Sequence, residues 1–329
     1  MTYSETILPE IHGLTDRELA QLHARVSQAF RQALAKAQID NLPEPLRHRI
    51  YLPLAAALVK AAREKNSTLV VGVNGAQGSG KTTLCTLLGL LLESGFGVRV
   101  AGFSIDDLYL TRSERATLGG SVHPLLTTRG VPGTHDVAMG RQLLADLKNP
   151  GSKETVLIPV FDKAVDDRAP RSAWRAVAPP FDIILFEGWC VGATPQQLEE
   201  LSQPVNTLEE QEDPHGTWCN HVNAQLAGDY ARFFAEIDLL IMLEVPDMEC
   251  IFAWRGLQEQ KLAGQKRQSY ATELMDETAL RRFIMHYERL TRHMLAEMPG
   301  RANLVLRLDR CHQVEAVRIN HWPAFSNTP

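Results

Sequence analysis

Apolar residues recur at helical spacing in the first part of the chain, up to about residue 64. Thr15 and Glu18 stand at the positions of an N-terminal capping box, directly before the first apolar series. The sequence NLPEPL then interrupts the pattern. We therefore predict two helices, over residues 15 to about 38 and 46 to 64, within an N-terminal helical extension of residues 1–66.

The pattern changes at Leu69, where short apolar runs begin to alternate with helices. Continuous apolar runs, unlike alternating ones, are typical of strands in a parallel sheet that is covered on both faces. The helix that begins at Lys81 is apolar all round, as expected for a helix deep in an α/β layer. The runs expected to be strands are TLVVGVNG, GVRVAGFSID, TVLIPVFD, FDIILFEG, IDLLIMLEVP and NLVLRLD.

Three further helices are expected near residues 137–147, 248–262 and 273–297. Between residues 192 and 224 the pattern lapses into an acidic, polar stretch with few apolar residues. We expect this stretch to be an acidic insertion at the surface, partly mobile, within a domain of residues 67–329.

Composition adds only broad limits. The chain has 329 residues, 44% of them hydrophobic, and a formal net charge of -5. No basic block suggests nucleic acid or a membrane surface as a partner, although a small anionic ligand remains compatible with local positive groups. The five cysteines are scattered singly, the N-terminus lacks the apolar segment of a signal peptide, and no apolar run could span a bilayer. We therefore expect a cytoplasmic protein without a zinc site or disulfides.

The strongest motif is GAQGSGKT, which fits the P-loop (Walker A) pattern G-x-x-x-x-G-K-[ST]. It lies between an apolar strand and an apolar helix, which is the context that the motif requires. We therefore expect a P-loop NTPase fold, in which Lys81 binds the β- and γ-phosphates of a nucleoside triphosphate and the Thr82 hydroxyl binds Mg²⁺. The residues expected to hold the nucleotide are Gly75, Ala76, Gln77, Gly78, Ser79, Gly80, Lys81, Thr82 and Thr83.

A second Mg²⁺-side group is expected at the end of a neighbouring core strand. Glu187 follows four apolar residues in FDIILFEG and therefore lies near the carboxyl edge, where open α/β sheets bind ligands. Asp182 opens the same run and lies at the far end. An ordinary surface acid at Glu187 is the less favoured interpretation.

A bound nucleotide is compatible with a kinase, a switch or a motor. No Asn/Thr-Lys-x-Asp box for guanine is present in the sequence. A small-molecule kinase needs a base beside the γ-phosphate and cations for its acceptor. Asp106 and Asp107, in SIDDLYLT, follow the strand after the P-loop helix. Because neighbouring strand side chains point to opposite faces, we expect only one of them to serve the site.

Further polar clusters fall in loops where an acceptor would bind. They are Arg129, His135 and Asp136 in TTRGVPGTHD; Asp162, Lys163 and Arg168 in PVFDKAVDDR; and Arg255, Lys261, Lys266 and Arg267 in FAWRGLQEQKLAGQKR. Simpler interpretations compete with these. Asp136 stands where a helix cap is equally plausible. Most lysines of the third cluster are typical of a solvent-exposed helix face. Cys190 is more typical of a small buried apolar residue than of a nucleophile.

In combination, GAQGSGKTT, SIDDLYLT, RGVPGTHD, PVFDKAVDDR, FEGWCVG and WRGLQEQ resemble the plant-type D-glycerate 3-kinase family and its kinase-like relatives. More distantly the chain is similar to uridine kinase, phosphoribulokinase and pantothenate kinase. The resemblance covers roughly residues 69–309. It implies an ATP- and Mg²⁺-dependent kinase that phosphorylates a hydroxyl of a small, anionic metabolite, with D-glycerate as the first candidate.

The resemblance also implies roles for particular residues. Asp106 takes the place of the base in a D-x-F-Y-like stretch, Glu187 that of the Mg²⁺-side acid, and Arg255 that of a lid residue which closes over the phosphates. The residues expected near the acceptor are Tyr109, Arg129, His135, Asp136, Lys163 and Arg168.

Two departures from the family pattern bear on the acceptor. The stretch after FDK is AVDDR, where the family is richer in glycine and ends in Gly-Asp-Arg, and the 192–224 insertion is acidic. Tyr109, Phe161 and Trp189 leave open a nucleoside acceptor, which would require aromatic stacking. A sugar acid and a pantothenate-like alcohol also stay open as acceptors, as does an ATP-dependent switch that lacks a metabolite acceptor.

Overall fold

A computed structural model describes residues 9–36, 47–152, 154–265 and 276–325. Its centre is a six-stranded sheet in the order β10-β9-β8-β1-β7-β2. The five strands from β9 to β2 in this order are parallel, and β10 runs antiparallel to β9 at one edge. The strands are β1 (Leu69–Gly75), β2 (Val100–Ser104), β7 (Ile183–Gly188), β8 (Leu239–Glu244), β9 (Leu304–Leu308) and β10 (Val314–Ile319), with β3 to β6 outside this sheet.

The prediction of a mostly parallel sheet, covered on both faces, is confirmed. Alternate residues of each central strand enter two different cores. Val71 and Val73 of β1 pack with the N-terminal helices and the P-loop helix, whereas Val70 packs with helices on the opposite face. This explains why the strands are continuous apolar runs: neither face meets water.

The run TVLIPVFD was wrongly assigned to the central sheet. It forms two short strands, β3 (Val156–Ile158) and β4 (Phe161–Asp162), which pair antiparallel with β6 (Arg175–Val177) and β5 (Asp167–Arg168), respectively. Local apolarity marks a strand but does not choose its partner. Strand β10 was not predicted, because its alternating exposure gives only a weak signal.

The helices largely follow the predicted ones. They are α1 (Pro9–His12), α2 (Asp16–Lys36), α3 (Leu52–Lys65), α4 (Lys81–Phe96), α5 (Arg112–Ser121), α6 (Val137–Lys148), α7 (Thr207–Glu212), α8 (Thr217–Gln225), α9 (Ala231–Phe234), α10 (Met248–Gln265) and α11 (Glu277–Arg301). Parts of three predicted helices lie outside the described residues, namely 37–38, 46 and 273–275. None of the helices described is long and apolar enough to cross a membrane.

The N-terminal helices cover the P-loop helix. Leu22 and Val26 of α2 are buried, and both stand within van der Waals reach of Gly95 near the end of α4. Helix α3 is buried along most of its length against the same core. These helices therefore complete the face of the sheet on which the P-loop helix packs.

The 192–224 stretch differs from the predicted surface excursion. Helices α7 and α8 within it bury Leu208, Trp218 and Cys219 against Leu125 and Leu126 of the segment after α5, which together form a separate small core. Asp213 belongs to the acidic part of this stretch, but its carboxylate is buried and accepts hydrogen bonds from the Trp218 and Cys219 amides at 2.9 Å each. The insertion therefore has a core of its own, because its few apolar residues pack together against Leu125 and Leu126.

Candidate active site

The P-loop connects β1 to α4 at the carboxyl edge of the sheet. Gly78 (φ +79°) and Gly80 (φ +90°) adopt left-handed backbone conformations that side-chain-bearing residues rarely take. Gly80 is also the N-cap of α4 and offers no side chain to the first amides of the helix. These amides remain available to an anion, and the positive end of the helix dipole favours phosphate there.

Two residues on other elements support the loop from behind. A Cβ on Gly78 would lie 3.0 Å from the Cβ of Trp254 in α10, so the backbone of this helix packs directly on the loop. The Gly78 carbonyl lies 2.8 Å from Nε2 of His312, whose ring stacks on Trp254 at 3.7 Å between centroids. His312 was not predicted, since it lies in the turn between β9 and β10 and carries no motif.

The Thr82 hydroxyl and Glu187 meet across the end of the sheet. Thr82 donates a hydrogen bond of 2.9 Å from Oγ1 to Oε1 of Glu187. Glu187 is buried, and its other oxygen, Oε2, has no hydrogen-bond partner among the described residues. A buried carboxylate oxygen without a partner is costly, and Mg²⁺ prefers such oxygen ligands. The pair therefore fits a magnesium ion bound through one carboxylate and one hydroxyl, together with nucleotide phosphates.

The two adjacent aspartates follow the end of β2, as expected, but they lie on a 3₁₀ turn, Ile105–Leu108. The alternation argument therefore does not apply, but the two side chains still separate. Asp107 turns back and accepts a hydrogen bond from the Ser104 amide at 3.1 Å, which caps the turn. Asp106 points the other way, where it accepts from the Tyr109 hydroxyl at 3.0 Å and from Lys163 Nζ at 2.6 Å.

Electrostatics separates the two carboxyls further. Burial opposes the charged form of Asp106, but the ammonium groups of Lys163 and Lys81 outweigh it and lower the pKa of Asp106 to about 2. Burial raises the pKa of Asp107 to about 6, and the charge of Asp106 adds to this effect. Asp106 is thus the fully ionised carboxylate of the pair, and it lies within the field of the P-loop lysine.

A small hairpin of β4 and β5 carries Lys163 and Arg168 to the same place. Lys163 lies in its turn and reaches Asp106, as described above. Arg168 Nη2 donates to the Tyr109 carbonyl at 3.0 Å and lies 3.4 Å from Oδ2 of Asp136. The hairpin therefore brings two cations, predicted from one sequence cluster, onto the turn that holds Asp106.

His135 and Asp136 follow the loop before α6. Asp136 is the N-cap of that helix, since Oδ1 accepts from the Met139 amide at 2.9 Å, so the cap interpretation is correct and coexists with the contact to Arg168. His135 stacks on the Tyr109 ring at 4.5 Å, and its Nδ1 lies 2.7 Å from the Tyr230 hydroxyl. Burial lowers the pKa of His135 to about 4. The imidazole is therefore neutral near pH 7, and its buried Nε2 has no hydrogen-bond partner among the described residues.

Arg129 and Arg255 approach the site from two further elements. The Arg129 guanidinium pairs with Asp166 and lies over the Phe161 ring at 5.5 Å. Arg255 follows Trp254 on α10, and its guanidinium lies over the Phe283 ring at 5.5 Å.

Tyr287 of α11 connects these groups and was missed from the sequence, since it lies in an ordinary amphipathic helix. Its hydroxyl donates to the Arg129 carbonyl at 3.1 Å. Burial raises the pKa of Tyr287, and the charges of Asp106, Arg129 and Arg255 all act on this hydroxyl. The structure thus brings three predicted site residues around one buried tyrosine.

The remaining candidates lie elsewhere or are enclosed in the core. The side chains of Lys261, Lys266 and Arg267 lie outside the described residues. Cys190 is fully buried and burial raises the pKa of its thiol, in agreement with the interpretation as a small apolar residue. The rings considered for nucleoside stacking, Tyr109, Phe161 and Trp189, are only 3%, 6% and 2% exposed.

Comparison with known proteins places the chain in a class. The solved structure of D-glycerate 3-kinase from Cryptococcus neoformans superimposes with a TM-score of 0.68 at 25% identity, over 82% of this chain and 98% of that one. No family model matches the chain. The fold, the P-loop and this similarity define a small-molecule P-loop kinase.

Two curated relatives identify the family. The uncharacterized kinase mug58 of Schizosaccharomyces pombe is 33% identical over 238 residues, which span 70% of this chain and 82% of the relative. The chloroplastic D-glycerate 3-kinase of Arabidopsis thaliana is 29% identical over 241 residues, which span 70% of this chain and 50% of that enzyme. The chain belongs to the family of P-loop kinases that includes D-glycerate 3-kinase and its kinase-like relatives.

Proposed function

We propose that this kinase transfers the γ-phosphoryl group of Mg-ATP to a hydroxyl of a small anionic metabolite, with D-glycerate as acceptor and 3-phosphoglycerate as product. One observation carries the proposal: Tyr109 and Lys163 each hold one oxygen of Asp106, at 3.0 Å and 2.6 Å. The charges of Lys163 and of the P-loop lysine, Lys81, also lower the pKa of this carboxyl. With a nucleotide held at the P-loop, a base in this place would face the γ-phosphate from the acceptor side.

The nucleotide side of the site rests on the P-loop. Its amides and Lys81 hold the phosphates, and Thr82 and Glu187 would hold Mg²⁺. Bound there, the ion neutralises charge on the phosphates during transfer. Arg255 of α10 contributes a further positive charge toward the phosphates. We assign this arginine to a lid that closes over the phosphates and excludes water.

On the acceptor side, Asp106 accepts the proton of the attacking hydroxyl. With a pKa of about 2 it is a weak base, so its main contribution is to orient the hydroxyl, with proton transfer late in the reaction. Tyr109 and Lys163 each bind one oxygen of Asp106 and thereby fix the carboxylate. We also assign His135 to the acceptor side, where its neutral ring stacks on Tyr109.

The groups around the site favour an anionic acceptor. Arg129, Arg168 and Lys163 bring cationic groups here, each already paired with an aspartate. Arginine forms paired hydrogen bonds with carboxylates, so Arg129 and Arg168 can also bind a carboxylate of the acceptor. The three aromatic rings nearby are buried in the core, so they offer little surface for a nucleoside base to stack on. A small hydroxy acid suits this arrangement better than a nucleoside does.

We further assign residues 67–329 to the kinase domain and residues 1–66 to an N-terminal helical extension that braces the P-loop helix. The packing of Leu22 and Val26 near Gly95 supports this assignment. The insertion of residues 192–224 belongs to the kinase domain, because Arg289 of α11 donates to the Glu200 and Gln203 carbonyls and pairs with Glu209.

The test is ADP release from purified protein with Mg-ATP, first alone and then with a panel of acceptors led by D-glycerate. We expect strong stimulation by D-glycerate. Stimulation by a different hydroxy acid, nucleoside or pantothenate-like alcohol would retain the mechanism and replace the acceptor. Slow hydrolysis that no acceptor accelerates would contradict the proposal and favour an ATP-dependent switch.

A further inference from the structure

The turn of the β4–β5 hairpin ends at a residue with an unusual backbone conformation. Asp166 has a φ of +56°, in the left-handed region that residues with a side chain seldom adopt. Such a conformation persists where surrounding contacts enforce it. Here the contacts are two arginines: Arg115 lies 2.9 Å from Oδ2 of Asp166, and Arg129 pairs with Oδ1.

The two arginines differ in what else they do. Arg115 is 1% exposed and donates to the backbone carbonyls of Leu110, Thr127 and Asp166, so it is bound into the structure independently of the carboxylate. Arg129 is 26% exposed at its side chain, and its guanidinium forms its ion pair with Asp166. Arg115 therefore anchors the hairpin, whereas Arg129 is the more exposed partner of Asp166.

Arg129 also lies near Asp106, since the charges of both groups act on the Tyr287 hydroxyl. Its guanidinium is over the Phe161 ring, which packs edge-on against Tyr109 at 5.2 Å, and Tyr109 binds Asp106. In the proposed function, an acceptor that places its hydroxyl at Asp106 extends its carboxylate toward Arg129. The positive charge of Arg129, which a carboxylate of the acceptor would meet there, is already paired with Asp166.

We propose that Asp166 is a specificity-determining residue, whose carboxylate competes with the carboxylate of an anionic acceptor for Arg129. The proposal rests on the proposed function, in which Arg129 lies near the acceptor. When the acceptor binds, Arg129 exchanges Asp166 for the ligand, and Asp166 remains held by Arg115 through its other oxygen. The Arg129–Asp166 pair thus lowers the affinity of the site for anionic acceptors in general. It selects acceptors whose hydroxyl also binds Asp106, because only these gain a second contact.

The test is Asp166→Asn. Asparagine tolerates left-handed backbone and keeps an oxygen for Arg115 but loses the charge. We expect the KM for D-glycerate to fall by up to about fivefold. This is the change in affinity that corresponds to the loss of one partly exposed ion pair, here the one between Arg129 and Asp166. The KM for its neutral methyl ester should not change. Asp167→Asn is the matched control, since Asp167 lies in the same hairpin and contacts the Arg112 and Arg168 amides but not Arg129.

A second readout makes the result independent of the preferred acceptor. Thermal shift is measured for both variants and wild type with a panel of small hydroxy acids and their methyl esters, in the presence of a non-hydrolysable ATP analogue. Tighter binding of the acids, confined to Asp166→Asn, supports the proposal even if D-glycerate proves not to be phosphorylated. Unchanged or weaker binding of every acid by a folded Asp166→Asn protein would overturn it, even if D-glycerate is the substrate.

Discussion

Lys163 donates a hydrogen bond of 2.6 Å to Oδ2 of Asp106, and the contact joins a cation that is 59% exposed at its side chain to a carboxylate that is largely enclosed. The pair has a direct electrostatic consequence. The positive charge of Lys163, with that of Lys81, offsets the burial that would otherwise protonate Asp106. Lys163 therefore controls the pH range in which the proposed base is ionised.

Replacement of Lys163 should accordingly move the acid limb of the pH profile. In Lys163→Gln the pKa of Asp106 rises, so kcat/KM should begin to fall at a higher pH than in wild type, because this profile reports the free enzyme. Lys163→Arg keeps the charge and should retain the wild-type limb. An acid limb at the same pH in both variants would show that Lys163 does not set the ionisation of the base.

The variant Glu187→Gln should weaken Mg²⁺ binding without lowering the stability of the folded protein. We expect the Mg²⁺ concentration needed for half-maximal activity to rise roughly 10- to 100-fold. Without ligands the variant should melt at the same temperature as wild type or higher, because a buried amide costs less than a buried carboxylate with an unpaired oxygen. Thr82→Ser, which keeps the hydroxyl, should need Mg²⁺ at a concentration close to that of wild type. A normal Mg²⁺ requirement in Glu187→Gln would exclude this carboxylate from the metal site.

His135 should make folding sensitive to acid. Its pKa is lowered to about 4 in the folded protein, against an ordinary value of 6.5, so the unfolded chain binds the extra proton between these values. Stability therefore falls as pH drops from 6.5 toward 4, by about 2 kcal/mol at pH 5.

This loss is measurable from urea unfolding at pH 7 and pH 5. In His135→Asn the fall in the free energy of unfolding should be smaller than in wild type by about 2 kcal/mol. His215→Asn, at an exposed histidine of the insertion, serves as the control and should behave like wild type. If all three proteins lose equal stability, His135 is not buried in its neutral form.

The insertion depends on a buried ion pair. Arg289 binds both oxygens of Glu209, at 2.9 Å and 2.7 Å, and the two side chains are 9% and 2% exposed. Arg289→Ala leaves a buried charge without its partner and should destabilise the protein by about 3–5 kcal/mol in urea unfolding. Arg281→Ala breaks an exposed pair with Glu277 on the same helix and should change little. Similar stability of the two variants would mean that the insertion is not held by this pair.

The sequence predicted those parts of the candidate site that depend on contiguous residues. The P-loop is a single string whose glycines have a local conformational reason, and Glu187 ends an apolar run at a definable edge of the sheet. The separation of Asp106 from Asp107 was expected for the wrong reason, because both lie on a 3₁₀ turn in which Ser104 and Asp107 cap one another.

What the sequence could not supply are contacts between distant segments. Tyr287 reaches Arg129 across 158 positions of the chain, and Tyr230 reaches His135 across 95. The strand β4 was assigned to the wrong sheet, because strand partners depend on tertiary packing and not on local apolarity. The core of the insertion could not be predicted either, because it also depends on a contact between distant segments: Trp218 packs against Leu125 and Leu126.

The most direct test compares Asp106→Asn with Asp107→Asn in the presence of Mg-ATP and D-glycerate, with the phosphorylated product identified by mass spectrometry and ³¹P NMR. We predict that wild type forms 3-phosphoglycerate, that Asp106→Asn lowers kcat by roughly 10²–10⁴-fold while ATP binding is kept, and that Asp107→Asn retains most of the turnover. Turnover that survives in Asp106→Asn but is lost in Asp107→Asn would contradict the assignment of the base. Absence of a phosphorylated product from wild type would contradict the proposed acceptor.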